Sequence, residues 1–286
     1  MTIPPIQWYP GHIAKAEKAL KEQLKLVDVV LEVRDARIPL ATNHPQVREW
    51  VANKARVLVL NRVDMILPQT RHLWTEWFKA QGEEPYFTDA QHGKGVIAVA
   101  QATRSTEVEI NLRRRDRGML PRPVRAVVIG FPNVGKSALI NRLLNRRVVA
   151  SAARPGVTRQ LRWVRISDQL ELLDAPGVIP AKLDDQIAAL KLAICDDIGD
   201  ASYDNQRVAA ALVDLLNYLE PTATAMFPYP LQSRYGLDPT AVTGEEYLHA
   251  LADRRNQGDI ERTARQLLTD FRKGLLGAIA LELPPS

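Results

Sequence analysis

Apolar residues alternate between strand-like and helix-like segments over the first part of the chain. Short β-rich runs cover 27–33, 56–60 and 124–129, and each leads into polar residues and a helix-like stretch. Strands that alternate with helices are typical of a parallel sheet covered by helices. Two more runs, 163–166 and 170–173, predict a short hairpin. The pattern predicts an α/β domain with a mostly parallel sheet.

After about Pro180 the pattern changes to helical periodicity. Proline-rich residues 221–230 interrupt segments that predict helices at 184–194, 206–218, 243–255 and 259–276. Such a run of helices without strands indicates an all-helical C-terminal domain. We therefore expect an α/β domain over 1–180 and a helical domain over 181–286. The arginine-rich residues 113–125 are interpreted as a connector within the first domain.

Composition is that of a folded globular protein. With 286 residues and 46% hydrophobic content, the chain can bury a sizeable core. Its one cysteine, Cys195, excludes an internal disulfide and a cysteine-rich zinc site. The N-terminus does not resemble a secretion signal, and no apolar run reaches the roughly 18 residues that span a bilayer. A cytoplasmic location without a membrane span is expected.

Charge is unevenly distributed along the chain. The formal charge is +5, but residues 142–165 contain seven arginines and no acid, whereas residues 184–204 contain six aspartates and one lysine. Either run could be an ordinary solvated surface. A basic segment beside a phosphate site nevertheless favours a nucleic-acid partner.

Residues 130–137, GFPNVGKS, match the phosphate-binding pattern GxxxxGK[ST] and follow a predicted strand. The glycines allow successive backbone N–H groups to converge on phosphates at a helix N-terminus. Lys136 is expected to reach the β- and γ-phosphates and act in catalysis, while the Ser137 hydroxyl binds Mg²⁺. The nucleotide-binding residues predicted from this loop are Asn133, Val134, Gly135, Lys136, Ser137 and Ala138.

A second phosphate motif, DxxG, spans Asp174 to Gly177 at the end of a predicted strand. Asp174 is expected to bind Mg²⁺ directly or through water, and the Gly177 amide to meet the γ-phosphate. The loop between the two motifs contains Thr158, the best candidate for a further Mg²⁺ ligand, with Ser151 as the alternative. Alone, each of these segments also fits an ordinary turn.

Residues 61–64, NRVD, resemble the guanine motif NKxD at a strand end, with Arg62 in place of lysine. The Asp64 carboxylate can accept two hydrogen bonds from guanine N1–H and N2–H₂, a donor pair that adenine lacks. Arg62 keeps a cation and an aliphatic stem that could cover the purine. A competing match at 256–259 has no apolar strand before it and predicts a turn with Asp259 as helix cap.

Thr88, Asp89 and Ala90 follow another short apolar run and are predicted to back the guanine, before a helix that begins near Val96. An ordinary strand-to-helix loop is the alternative. Because the guanine motif precedes the phosphate loop, the sequence predicts a circularly permuted P-loop GTPase. Permutation is physically reasonable, since all these loops lie at one edge of the same sheet whatever the strand order.

Together with residues 7–12, QWYPGH, and 35–39, DARIP, these motifs resemble the ribosome biogenesis GTPase A family (YlqF/RbgA) of circularly permuted GTPases. The resemblance implies GTP hydrolysis in late assembly of the large ribosomal subunit, with stimulation by the pre-ribosomal particle. It also implies ribosomal RNA and ribosomal proteins as partners. A helical C-terminal domain is expected to contact RNA, through exposed residues such as Arg254 and Arg255.

Catalysis needs a group that orients water, because Val178 and Ile179 stand where many switch GTPases place a glutamine. The resemblance implies His12 as that catalytic residue, whereas a lone histidine after a Pro-Gly turn is more often a surface or RNA-contact residue. Asn133 is similar to the asparagine through which potassium-activated members hold K⁺; the alternative is an asparagine that only closes the loop. Asp35 and Arg37 follow the predicted strand at 27–33 and could border the nucleotide edge; a structural salt bridge is the alternative, and no chemistry is assigned to them.

Other functions are compatible with the same motifs. One alternative is a potassium-dependent GTPase that serves another RNA-linked process. A second is a module that binds GTP with negligible turnover, which the missing glutamine favours. An ATPase would require that Asp64 does not recognise the base. No sequence feature determines the oligomeric state.

Overall fold

The computed structural model describes residue 6 and residues 11–51, 54–144, 162–165, 170–175, 177, 183–219, 223 and 230–285. Six strands form one sheet in the order β3-β2-β1-β4-β6-β5, in which every neighbouring pair is parallel except β5 with β6. The strands are β1 (Val29–Asp35), β2 (Ala55–Asn61), β3 (Pro85–Thr88), β4 (Val124–Ile129), β5 (Arg162–Arg165) and β6 (Leu170–Asp174). The predicted mostly parallel α/β sheet is confirmed.

The strand order places the two predicted motif groups side by side. The guanine motif lies at the end of β2, the phosphate motifs lie at the ends of β4 and β6, and the pairing of β1 with β4 joins the two halves of the sheet. In the register, Asn61 lies opposite both Asp35 and Thr88, at the ends of neighbouring strands. Carboxyl ends of parallel strands share one edge, which is where ligands bind in open α/β sheets.

Helices cover both faces of the sheet. They are α1 (Gly11–Leu24), α2 (Val47–Val51), α3 (Pro68–Ala80), α4 (Val96–Asp116) and α5 (Lys136–Leu143), with a 3₁₀ turn at Val63–Met65. The interpretation of 113–125 as a connector is wrong at its start, because α4 continues to Asp116. Arginine is a good helix former, and only after Arg117 does Gly118, at φ 70°, end the helix.

The C-terminal part consists of α6 (Gln186–Cys195), α7 (Asn205–Asn217), α8 (Pro230–Tyr235), α9 (Gly244–Arg255) and α10 (Ile260–Arg272), with a 3₁₀ turn at Asp200–Ser202. We call α6–α10 the helical unit. No strand follows β6 in the described residues. As predicted, Asp259 caps α10 by accepting a hydrogen bond from the Arg262 N–H, so residues 256–259 form a turn.

One hydrophobic cluster runs from the sheet into the helical unit. It includes Leu31 and Val128 of the sheet together with Leu192, Leu267 and Phe271 of the helices. The predicted domain boundary near residue 180 lies outside the described residues. Among the helices that the structure describes, none has the length and apolar character needed to cross a membrane.

Candidate nucleotide-binding site

The phosphate loop, residues 130–137, connects β4 to α5 and needs glycine at two positions. Gly130 has φ 152° and Gly135 has φ 101°, values that side-chain-bearing residues rarely adopt. A Cβ on Gly130 would collide with the Val33 carbonyl, and one on Gly135 would collide with the Asn61 amide. These glycines therefore allow the loop to pass tightly over the guanine motif and bring it to the N-terminus of α5.

Lys136 is the first residue of α5, and only 7% of it is exposed. Its Nζ donates to the carbonyl oxygens of Phe131 (2.6 Å) and Gly130 (3.2 Å). Burial lowers the pKa of Lys136 to about 8, although the charges of Asp174 and Asp197 act in the opposite direction. An ammonium group held inside a backbone loop in this way is suited to an incoming phosphate.

Asn61 joins the three loops that the sequence assigned to one pocket. Its Nδ2 donates to the Val134 carbonyl in the phosphate loop at 2.8 Å. Its Oδ1 accepts from the Thr88 hydroxyl at 3.0 Å and from the Ala90 N–H at 2.9 Å. The motif from early in the chain thus lies directly against the phosphate loop, as a permuted nucleotide site requires.

Arg62 adopts a left-handed backbone conformation, with φ 67°. Its Nη2 donates to the Asn133 carbonyl at 2.8 Å, and its Nε lies 3.4 Å from the Asp35 carboxylate. In this structure the guanidinium therefore links the guanine motif to the phosphate loop and β1. That the aliphatic stem of Arg62 covers the purine stays a prediction.

The base-recognition end contains Asp64, an exposed residue of the 3₁₀ turn after Arg62. Partial desolvation, followed by the charge of Asp89, raises the pKa of Asp64. Asp89 itself is buried, and its carboxylate accepts the His92 backbone N–H at 3.0 Å and contacts His92 Nδ1 at 2.7 Å. Asp89 therefore stabilises its own loop.

Arg142 holds the same loop from outside. It donates to the backbone carbonyls of Ala90 and Gln91. The sequence placed Arg142 in a basic run that favoured a nucleic-acid partner. Its actual contacts show that at least this member of the run has a structural role at the nucleotide pocket.

The second phosphate motif lies beside the first. Asp174, 2% exposed, ends β6 opposite Val128 of β4. A Cβ on Gly177 would come within 2.6 Å of the Pro132 nitrogen, so the motif lies tightly against the phosphate loop. Among the described residues there is no cluster of three His, Cys, Asp or Glu side chains that could hold a metal. The Asp174 carboxylate and the Ser137 hydroxyl, near the start of α5, are nevertheless oxygen ligands of the kind that Mg²⁺ prefers. Phosphate oxygens and water would complete the coordination of the ion.

Several predicted residues cannot be placed relative to this pocket. Thr158, Ser151, Val178 and Ile179 lie outside the described residues. His12 falls in the first turn of α1, and its side chain also lies outside the described part.

The sequence did not single out the contacts between the pocket and the helical unit. The Asn133 side-chain amide donates to the Asp196 carbonyl at 2.7 Å, just past the end of α6. Asp35 and Arg37 form a salt bridge, one of the two alternatives that the sequence left open, with 2.7 Å between Oδ2 and Nη2 and both side chains fully buried. The only sequence signal for Asp196 was its membership of the acidic run, which pointed to a surface.

Comparison with known proteins agrees with this geometry. Residues 125–225 match the family described as 50S ribosome-binding GTPase. The chain is 36% identical to Ribosome biogenesis GTPase A of Priestia megaterium, over 98% of this chain and 97% of that protein. It is also 36% identical to the protein of the same name from Bacillus cereus, over 98% and 94%.

A solved structure has the same fold. GNP-bound YlqF from Thermotoga maritima superimposes with a TM-score of 0.66, covering 95% of this chain and 99% of that one at 24% identity. The phosphate and guanine loops described above therefore occur in an established architecture.

Proposed function

This chain belongs to the ribosome biogenesis GTPase A family, and from that premise we propose that it is an assembly factor for the large ribosomal subunit whose GTP hydrolysis is stimulated by the pre-ribosomal particle. That it is a GTPase in ribosome assembly follows from the family. The large-subunit part of the proposal is supported by the match to the family described as 50S ribosome-binding GTPase. The observation in the structure that supports GTP as the ligand is the contact of Asn61 with Val134, because it joins the guanine motif and the phosphate loop in one pocket.

Each predicted site residue has a role in this proposal. Asp64 recognises guanine, while Thr88, Asp89 and Ala90 support the base loop. Lys136 binds the β- and γ-phosphates, and the amides of Val134, Gly135, Ala138 and Gly177 face the phosphate chain. Ser137, Asp174 and Thr158 are the Mg²⁺ ligands, and Asn133 would hold K⁺ through its Oδ1. These cations supply charge stabilisation when bound.

His12 is proposed to orient the attacking water. The imidazole can do so near neutral pH, and hydrophobic residues follow the DxxG motif at the position where other GTPases carry a glutamine. The variant His12→Ala should reduce particle-stimulated hydrolysis while GTP affinity is retained. An undiminished rate would remove His12 from the mechanism.

Charge indicates which part of the molecule contacts RNA. Residues 183–286 contain nine Lys and Arg against sixteen Asp and Glu, a net charge of −7, whereas residues 1–182 contain twenty-nine against seventeen, a net charge of +12. RNA affinity depends on neutralising phosphates with cations. We therefore assign the RNA contact to the basic N-terminal part, and contact with basic, RNA-coating proteins to the helical unit.

Contacts in the helical unit support the same assignment. Arg254 donates to the Gly236 carbonyl at 2.9 Å, and Arg255 stacks on Tyr235, 5.2 Å from the ring centre. Both arginines, although exposed, therefore also make contacts with α8 and the residue after it, whereas the sequence suggested them as RNA contacts. Exposed arginines on α4 and just after it, Arg104, Arg115 and Arg117, are the better candidates.

Phosphate release tests the function directly. We expect GTP turnover to rise when purified large-subunit precursors are added, to be higher in KCl than in NaCl, and not to respond to small subunits. Cosedimentation with the precursor should require a non-hydrolysable GTP analogue rather than GDP. Flat turnover under every condition would favour a GTP-binding module, and turnover without particle association would favour another RNA-linked process.

Salt dependence tests the RNA surface. The triple variant Arg104→Gln/Arg115→Gln/Arg117→Gln should lower the slope of log affinity against log salt by about 2–3, since each lost phosphate contact contributes roughly 0.7–0.9. The matched control is Arg262→Gln/Arg265→Gln in the helical unit, which should leave the slope unchanged. A slope that is lowered in the control variant but unchanged in the triple variant would indicate that the helical unit contacts RNA.

A further inference from the structure

The C-terminal end of α6 is held by side chains from three different parts of the chain. The last carbonyls of a helix lack partners within the helix and carry partial negative charge. Arg272 of α10 donates to the carbonyls of Ala193 (2.8 Å) and Ile194 (3.0 Å). The next two carbonyls are bound from the GTPase side, that of Cys195 by Arg37 and that of Asp196 by Asn133.

These contacts close a ring through the nucleotide pocket. Asn133 is bound through its carbonyl by Arg62 at 2.8 Å, and Arg62 lies 3.4 Å from Asp35. Asp35 pairs with Arg37, whose Nη2 returns to the Cys195 carbonyl at 3.2 Å. The end of α6 is therefore part of the same network as the guanine motif and the phosphate loop.

The ring lies in a buried region in which charge changes are weakly screened. Asp35, Arg37, Cys195 and Asp197 are each fully buried. Three side-chain atoms here have no hydrogen-bond partner among the described residues: both carboxylate oxygens of Asp197 and Nη1 of Arg37. Buried donors and acceptors without a partner are costly, so the arrangement of this network matters energetically.

We propose that Arg272 is a positioning residue for nucleotide binding: by holding the last turn of α6 it keeps the Asp196 carbonyl against Asn133 and couples the helical unit to the phosphate loop. The proposal rests on the GTP site described above. Coupling between two parts of a protein is reciprocal. Nucleotide binding should therefore also change how firmly α6 is held.

The guanidinium of Arg272 suits this task better than an ammonium. Besides the two carbonyls, it contacts the Tyr203 hydroxyl at 2.9 Å and lies 3.8 Å from the Asp196 carboxylate. A planar fork can serve several acceptors in fixed directions, whereas lysine provides one point charge. A lysine in the variant Arg272→Lys should therefore not make all of these hydrogen bonds at once.

GDP affinity is the first test. Arg272→Gln should weaken GDP binding by about 5-fold or more, the lower end of typical coupling between sites. Arg265→Gln is the matched control, since Arg265 pairs with Glu261 on the exposed face of the same helix and should leave affinity unchanged. Arg272→Lys, which keeps the charge, is the second variant in case the glutamine variant does not fold, and it should also weaken binding a few-fold.

A double-mutant cycle shows whether Arg272 acts through Asn133. In an Asn133→Ala background, Arg272→Gln should weaken GDP binding by less than 2-fold, because the link is already broken. A general loss of stability would instead give independent, additive effects. Unfolding of each variant in urea without nucleotide separates stability from affinity.

The single cysteine provides an independent readout. Cys195 is fully buried inside the ring, and burial raises the pKa of its thiol, so labelling by a thiol reagent requires local opening. GDP should slow the labelling of Cys195 in both proteins. At matched nucleotide saturation, the factor by which it slows labelling should be at least five times larger in the wild type than in Arg272→Gln.

The proposal is overturned if both Arg272 variants bind GDP within 2-fold of wild type, or if the effects of Arg272→Gln and Asn133→Ala are additive. Failure of ribosomal stimulation would not affect this test, because GDP affinity is measured on the free protein.

Discussion

Lys136 keeps an ammonium group almost completely out of water, with loop carbonyls as its partners. Its pKa of about 8 means that the free protein begins to lose this charge slightly above neutrality. Bound phosphate favours the charged form and should raise that pKa. Below pH 8 binding needs no extra proton, whereas above pH 8 it takes one up, so affinity should fall with rising pH, approaching tenfold per unit.

Calorimetry in two buffers of different ionisation enthalpy checks this prediction. GDP binding at pH 8.5 should take up most of a proton, and binding at pH 7.5 clearly less. An arginine at this position would stay charged at both pH values, so the variant Lys136→Arg, although weaker, should bind with an affinity that does not change between them. A pH-independent wild type would contradict the assignment.

Asp64 is predicted to select guanine. In Asp64→Asn, one acceptor becomes a donor that faces the guanine N1–H and N2–H₂ groups. GTP affinity should fall by about 100-fold, or ~3 kcal/mol, in line with hydrogen bonds to a charged group. The variant should instead accept xanthosine triphosphate, which carries a carbonyl at C2. Retained preference for GTP over ATP in Asp64→Asn would show that another group reads the base.

For single residues, the sequence predicted the contacts that follow from the positions of the motifs at strand ends. Asn61 contacts Val134, Thr88 and Ala90 because these residues lie at or just beyond the ends of parallel strands, and such strand ends share an edge. It could not predict that Arg37, Asn133 and Arg272 converge on α6, since these contacts depend on how distant segments pack. A charged run in sequence also looks the same whether its members are solvated or, like Asp197, buried.

Among the elements, the presence of a buried strand was easier to predict than its boundaries. All seven residues of β1 are buried and its apolar run was visible at 27–33, but the strand spans Val29–Asp35. The short α8 was missed because it begins at Pro230, within a stretch that resembles a loop. Helix α10 ends four residues before its predicted end, since the left-handed Gly274 stops it.

The helical unit offers a matched pair of buried tyrosines. Tyr235 on α8 donates from Oη to Asp270 of α10 at 2.9 Å, and Arg234 shares the same carboxylate oxygen. Tyr235→Phe should lower the free energy of unfolding by about 1.5–3 kcal/mol, because it removes a hydrogen bond to a charged group. Urea denaturation measures the change.

Tyr247 on α9 is the control. Its hydroxyl is buried and has no hydrogen-bond partner among the described residues. Removing an unsatisfied polar group is neutral or favourable, so Tyr247→Phe should leave stability unchanged or raise it by up to ~1 kcal/mol. Equal losses in the two variants would mean that ring packing, rather than the Asp270 contact, dominates.

For the whole molecule, the end of the chain returns to the sheet and closes the helical unit onto it. The Glu282 carboxylate accepts from the backbone N–H groups of Leu40 (2.7 Å) and Ala41 (3.3 Å) and pairs with Lys191 at 3.2 Å. The Arg37 carbonyl accepts from Leu281 N–H at 3.0 Å. Together with the continuous core, these contacts predict that the two predicted domains unfold as one unit.

Two spectroscopic probes can test whether the two predicted domains unfold together. All five tryptophans precede residue 164, so their fluorescence reports on the N-terminal part, whereas helices lie in both parts and both contribute to circular dichroism. Tryptophan fluorescence and circular dichroism at 222 nm should give coincident urea transitions. Glu282→Gln should lower both midpoints together, by an amount equivalent to about 1–3 kcal/mol, since it weakens bonds to a buried carboxylate. The exposed Glu84→Gln should have no effect. Two separate transitions in the wild type would show that the helical unit folds independently, and the coupling through α6 would then require bound nucleotide.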